Sequence, residues 1–185
     1  PIAGLHIDLD RAPEQLEPVL SAIAPTKIGL SLGLVSGRNI WKTDLGAAIK
    51  LAQKAVDAIG ADRIQVASSS SLLHTPITVA NEKKLKPEVA DWFSFATEKC
   101  GEVATIGVAL KDQAAAAQKL EANAKSIAAR RDFEKNSDPA VRERVANIKP
   151  EDLNRKSPFP QRREVQRQFL KLPPSPPRPS VHSLR

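Results

Sequence analysis

Three clusters of polar side chains follow three apolar runs. His6, Asp8 and Asp10 come first, then Ser36, Arg38 and Asn39, then Ser68, Ser69, Ser70 and Ser71 with His74. In parallel α/β folds reactive groups collect at the C-terminal ends of strands. Serine, histidine and aspartate gathered there could form a nucleophilic triad. Against this, no G-x-S-x-G elbow exposes a serine, and serines at strand ends commonly just satisfy backbone groups. His6 and His74 with Asp8 could hold a metal, but nothing in their spacing is diagnostic. His6 lies inside an apolar run and reads as a hydrogen-bonded core histidine. Arg38-Asn-Ile-Trp41 reads as a structural loop with an aromatic anchor. The single cysteine, Cys100, falls on an apolar helical stripe and is expected to be a buried, inert thiol.

The elements that must position these groups alternate. Residues 3–9 read as a strand. Pro13 suits a first helical turn, and Leu16, Val19, Leu20 and Ile23 recur at helical spacing, with Pro18 expected to kink or shorten that helix. Residues 28–35 (IGLSLGLV) form the near-continuous apolar run of a strand buried on both faces. Thr43 is the expected N-cap of a helix striped by Leu45, Ala48, Ile49, Ala52, Val56 and Ile59 and ended by Gly60. Residues 63–67 make a third strand. After a loop to Pro87, Val89, Trp92, Phe93, Ala96, Cys100, Val103 and Ile106 predict one long helix. Residues 114–129 form a second by propensity. Short helical pieces are expected around 139–148 and 162–170. The alternation predicts an α/β fold with a parallel sheet. Three strands are too few for a complete open sheet or a barrel, and no glycine-rich nucleotide signature follows any of them.

Composition narrows the function classes. Aromatic content of 4% is low for a self-sufficient core of 185 residues. One cysteine excludes an internal disulfide framework. No signal pattern opens the chain and no apolar run nears a membrane span, so a soluble, cytoplasmic protein without a membrane partner is expected. The net charge of +7 is uneven: residues 1–129 carry 14 basic and 14 acidic side chains, residues 130–185 carry 14 and 7. A basic C-terminal third could meet nucleic acid or a protein partner. It lacks zinc-finger spacing and an aromatic RNA-binding motif, which disfavours nucleic acid.

One family is met in order along the chain. Gly4-Leu-His-Ile-Asp-Leu9, Arg11-Ala-Pro-Glu-Gln-Leu16, Ser31-Leu-Gly-Leu-Val-Ser-Gly-Arg-Asn-Ile-Trp41, Ser69-Ser-Ser-Leu-Leu-His74, Glu82, Leu85 and Trp92-Phe-Ser-Phe95 closely resemble cobalamin-independent methionine synthase. The resemblance implies a fragment: the last three βα units of an N-terminal (βα)8 TIM-type barrel over residues 1–110, a helical interdomain connector over 111–172, and a disordered Pro-rich tail over 173–185. It implies a parent that transfers a methyl group from 5-methyltetrahydropteroyltriglutamate to homocysteine with zinc held by a second, C-terminal catalytic barrel. That barrel would be this chain's partner. The lysines with which the family's first barrel holds the folate polyglutamate precede Pro1. Ser70 occupies the position equivalent to a zinc cysteine of the second barrel, and a serine hydroxyl is a poor zinc ligand beside a thiolate. No catalytic, substrate-binding or metal residue and no cofactor are therefore expected here, and the chain alone should be inactive.

The resemblance stops after Pro173. Where relatives continue Pro-Thr-Thr-Thr-Ile/Val-Gly-Ser-Phe-Pro-Gln, this chain has Ser175-Pro-Pro-Arg-Pro-Ser-Val-His-Ser-Leu-Arg185. Codons permitted for Pro176 to Arg185 (CCA CCA CGA CCG TCG GTT CAT TCC CTC AGA) contain ACC ACG ACC GTC GGT TCA TTC CCT CAG in a shifted frame. That string encodes Thr-Thr-Thr-Val-Gly-Ser-Phe-Pro-Gln. The expectation is a one-base frame change near the codons for Pro173 to Ser175.

Overall fold

The computed structural model describes residues 2–133 and 138–171. The expected tail lies outside the described residues. The chain divides into two compact units, Pro1–Asn136 and Ser137–Arg185.

In the first unit β1 (Gly4–Asp8), β2 (Gly29–Val35) and β3 (Ile64–Ser68) form a parallel sheet in the order β1-β2-β3. Leu5 lies opposite Leu30, Ile7 opposite Leu32, and Leu32 opposite Val66. The pairing of β2 with β3 slips between Gly33 and Val35, just before the polar strand ends. Leu30, Leu32 and Val35 of the central strand are almost fully buried, as a strand covered on both faces must be. Burying each such side chain contributes about 1.5–3 kcal/mol. Gly33 is obligatory for close packing: a Cβ there would stand 2.8 Å from Ile7 O and from Ser69 Cα.

Helix α1 (Leu16–Ile23) buries Leu16, Leu20 and Ile23. A 3-10 turn over Pro13–Gln15 precedes it. Pro18 is thus the third residue of the α-helix, within its first turn, where a missing N–H leaves no intrahelical bond unmade. Helix α2 (Leu45–Ile59) packs on β2 and β3 through Leu45, Ala48, Ala52, Ala55 and Ile59. Its N-cap is Asp44, not the expected Thr43: the Asp44 side chain accepts from the Ala47 N–H at 2.9 Å, while the Thr43 N–H goes elsewhere. Gly60, at φ 86°, ends the helix.

The expected long helix after Pro87 is broken. Helix α3 (Pro87–Ala90) lasts one turn and α4 (Ala96–Lys111) starts afresh. Between them the backbone pairs with the loop after β2, Lys42 N–H to Trp92 O at 2.9 Å and Ser94 N–H to Ile40 O at 2.9 Å. These long-range bonds outcompete helix continuation. Glu98 then caps the new start. Burial alone would raise its carboxyl, but hydrogen bonds from Thr78 Oγ1 and from the Val79, Phe95 and Glu98 N–H groups outweigh that and hold it below the usual range. The restart rotates the stripe: Lys99, Glu102, Thr105, Ile106 and Ala109 face inward, and Cys100, expected buried, is exposed. Helix α5 (Gln113–Arg131) packs on α4 and α2 and buries only Ala116, Asn123 and Ser126.

In the second unit α6 (Pro139–Ala146), capped by Asp138, and α7 (Phe159–Leu170) match the expected short helices, with no buried side chain in either. No helix among the described residues is long and apolar enough to cross a membrane.

Candidate functional site

The strand ends spend their polar groups on the backbone and on one another. Asp8 Oδ1 accepts from the N–H groups of Asp10 and Arg11 at 3.1 and 3.0 Å, and Oδ2 pairs with Arg38 at 3.1 Å. Ser36 Oγ faces the Arg38 and Asn39 N–H groups at 3.4 Å. Ser69 Oγ accepts from Gly37 N–H at 3.2 Å, and the Ser71 hydroxyl caps the turn at Leu73. Ser68 is the last residue of β3. Ser70 Oγ is buried without a hydrogen-bond partner, pressed so close to Gly37 that a Cβ there would meet it at 2.6 Å.

His6 corrects the core reading. Its Nδ1 lies 2.9 Å from Ser31 Oγ, yet the residue is exposed because β1 is an edge strand. His74 is exposed in a short turn after β3. The structure does not bring His6, His74 and Asp8 together as ligands: among the described residues no three His, Cys, Asp or Glu side chains converge to hold a metal.

What the fold does assemble is a buried polar clamp on the loop after β2. Lys99 is fully buried, and its Nζ donates to Trp41 O at 3.0 Å and reaches Asn39 Oδ1 at 3.5 Å. Burial pushes its pKa down, against the opposing pull of Glu102 and Asp10. Glu102 Oε1 accepts from Thr43 N–H at 3.1 Å. From α5, Asn123 accepts from Leu45 N–H at 3.1 Å and donates to Thr43 O at 2.9 Å. Lys42 donates to Asp91 at 2.8 Å and to Ser126 at 3.1 Å. Burial would raise the Asp91 carboxyl, but hydrogen bonds from Lys42 and Ser126 and the Lys42 charge hold it low. Trp41 stacks on Phe93 at 5.1 Å, with the Arg130 guanidinium 4.1 Å over its ring. The loop Arg38-Asn-Ile-Trp41 is thus an anchored connection, as its sequence suggested.

A cleft of about 530 Å³ opens beside this clamp, walled by Asp10, Asn39, Trp41, Lys42, Arg130 and Arg131 among others. It offers charges of both signs but no paired nucleophile and base. Sequence reasoning missed Lys99, Glu102, Asn123 and Ser126. Their signal was polar residues at helical spacing on faces that a core should make apolar, which reads as an exposed face until the restart at Ala96 is known.

Residues 1–60 match the family model described as cobalamin-independent synthase, N-terminal domain. The chain is 47% identical over 173 residues to the 5-methyltetrahydropteroyltriglutamate--homocysteine methyltransferase of Saccharomyces cerevisiae, covering 94% of this chain and 22% of that protein. It is 46% identical over 177 residues to the enzyme of the same name from Nitrobacter winogradskyi, covering 95% of this chain and 23% of that one. In sequence the chain matches one segment of the cobalamin-independent methionine synthases. It spans less than a quarter of the length of these curated relatives, and the match runs through both structural units.

Proposed function

We propose that the chain is a scaffold segment of a cobalamin-independent methionine synthase. In this reading residues 1–110 are the last three βα units of an eight-stranded first barrel, residues 111–172 are the connector, and a second barrel performs the chemistry. The parent moves a methyl group from 5-methyltetrahydropteroyltriglutamate to homocysteine, and zinc in the second barrel holds the homocysteine thiolate. A cytoplasmic location belongs to the same proposal.

The observation that carries it is the 46% identity maintained along 95% of this chain but only 23% of the relative. Two structural features support it. β1 and β3 each pair on one side only among the described residues, as strands taken from a longer sheet would. The strand-end carboxylate and hydroxyl of Asp8 and Ser69 are engaged with backbone N–H groups, a structural use rather than a catalytic one. Ser70 fits the role of a vacant counterpart of a zinc cysteine, because its hydroxyl cannot replace a thiolate ligand.

The test is the purified chain with zinc and both substrates. No methionine should form, and metal analysis after dialysis should return far less than one zinc per chain. Methionine production, or one tightly held zinc, would sink the proposal. Binding to duplex DNA that weakens steeply with salt would instead favour the basic interaction module.

A further inference from the structure

Among the described residues the sheet has two unpaired edges, β1 on one side and β3 on the other. An unpaired edge presents free N–H and C=O groups to a further strand. The two edges differ in what lies beside them. Along β3 runs an apolar groove of about 300 Å³, walled by Ile64 and Val66 of the strand and by Val103, Gly107 and Leu110 of α4. Gln65 lines it too. Consecutive strand residues point to opposite faces, so they share one groove where it runs along the open backbone edge. Ile64, Val66, Val103 and Leu110 are only partly buried, and a Cβ on Gly107 would meet nothing within 4 Å.

The β1 edge carries the complement. Leu5 is 36% exposed. It stands in one row with Leu30 and Ile64, and Ile7, Leu32 and Val66 form the next row. Leu30 and Leu32 belong to one core cluster with Leu16, Ala52 and Ile106 of the helices, so both rows lie on the helix-covered face. A β1 strand laid parallel beside β3 therefore turns Leu5 to the same face as Ile64 and Val66, beneath the α4 wall. A two-fold contact between β3 edges would set groove against groove and fill neither, and one between β1 edges would leave both grooves open. We propose that the chain associates head to tail with a second copy of itself, β1 of one copy adding in parallel to β3 of the next and its Leu5 entering the groove beside Gly107. The contact is heterologous, because each copy offers one edge to one neighbour and the other edge to another. It concerns the chain as a separate polypeptide and rests on the two edges, not on the scaffold reading.

The test follows the weight-average mass of the full chain by light scattering over rising concentration, and the mass should climb. Leu5→Glu and Gly107→Glu each spoil one half of the contact, since a carboxylate carried into an apolar groove is left unpaired. Each should weaken association at least about tenfold with the circular dichroism unchanged. Mixed in equal amounts, the two variants should form a 1:1 dimer and nothing larger, because the first keeps the groove and the second keeps its β1 edge. Should Leu5→Glu fail to fold, Leu5→Thr takes its place, keeping a strand-forming residue and removing most of the apolar contact. A natural chain that stays monomeric at every concentration overturns the proposal. So does either variant associating as strongly as the natural chain, which a contact between like edges would allow, or a mixture of the two that stays monomeric.

Discussion

Helix α5 docks on α2 and α4 through polar groups as well as through Ala116 and Leu120, and Asn123 is the sharpest place to test the polar share. Asn123→Ala removes both bonds that join α5 to the start of α2, the acceptor for Leu45 N–H at 3.1 Å and the donor to Thr43 O at 2.9 Å. Leu45 is 4% exposed, so its N–H has little access to replacement water. A buried donor left unsatisfied costs about 1–3 kcal/mol, and the second bond contributes about 1 kcal/mol net. The expected loss is therefore about 2–4 kcal/mol. At about 2–4 °C per kcal/mol for a chain of this length, the thermal midpoint should fall by about 5–15 °C. Urea unfolding of the full chain followed by circular dichroism should show a lower midpoint with unchanged slope. The neighbouring exposed substitution Gln118→Ala should stay within about 0.5 kcal/mol. If Asn123→Ala costs no more than that control, the polar clamp is not what docks α5.

Lys99→Met tests the buried ammonium. Its folded pKa lies below the ordinary lysine value of 10.5 because of burial, so between the two values the unfolded chain binds more protons and stability rises with pH. The midpoint of the natural chain should climb over that alkaline window, and Lys99→Met should flatten the climb; an equal slope in both would contradict the burial argument. Genomic DNA and transcript sequenced through the codons for Pro173 to Arg185 should encode Gly-Ser-Phe-Pro-Gln in the shifted frame; a different shifted-frame product removes the frame-change explanation.

The strands and α2 were legible in the sequence because their signals are local. The IGLSLGLV run and the stripe ending at Gly60 need no tertiary knowledge, and β2 and α2 fall within a residue of expectation. The break before α4 was not legible. Trp92 to Ser94 abandon helix for bonds to Ile40 and Lys42, some 50 residues away in sequence, and no local pattern encodes such a partner. That one displacement exposed Cys100 and buried Lys99 and Glu102, while Ile106 faces inward as expected. His6 is hydrogen-bonded as expected but not buried, for another reason: an apolar run predicts a buried strand only where a neighbour covers it, and among the described residues β1 has a neighbour on one side. The roles of Ser69 and Asp8 were readable in kind, since short polar side chains at strand ends bond nearby backbone, but their partners Gly37 and Arg38 came only with the fold.

The most direct measurement exchanges parts. Residues 2–171 would replace the aligned segment of the Saccharomyces cerevisiae methyltransferase, and methyl transfer to homocysteine would be assayed in the purified chimera. A scaffold segment with no catalytic residue of its own predicts a chimera that retains activity within about tenfold of the parent, beside an inactive isolated chain. A chimera that folds and binds both substrates yet forms no methionine would contradict the scaffold assignment.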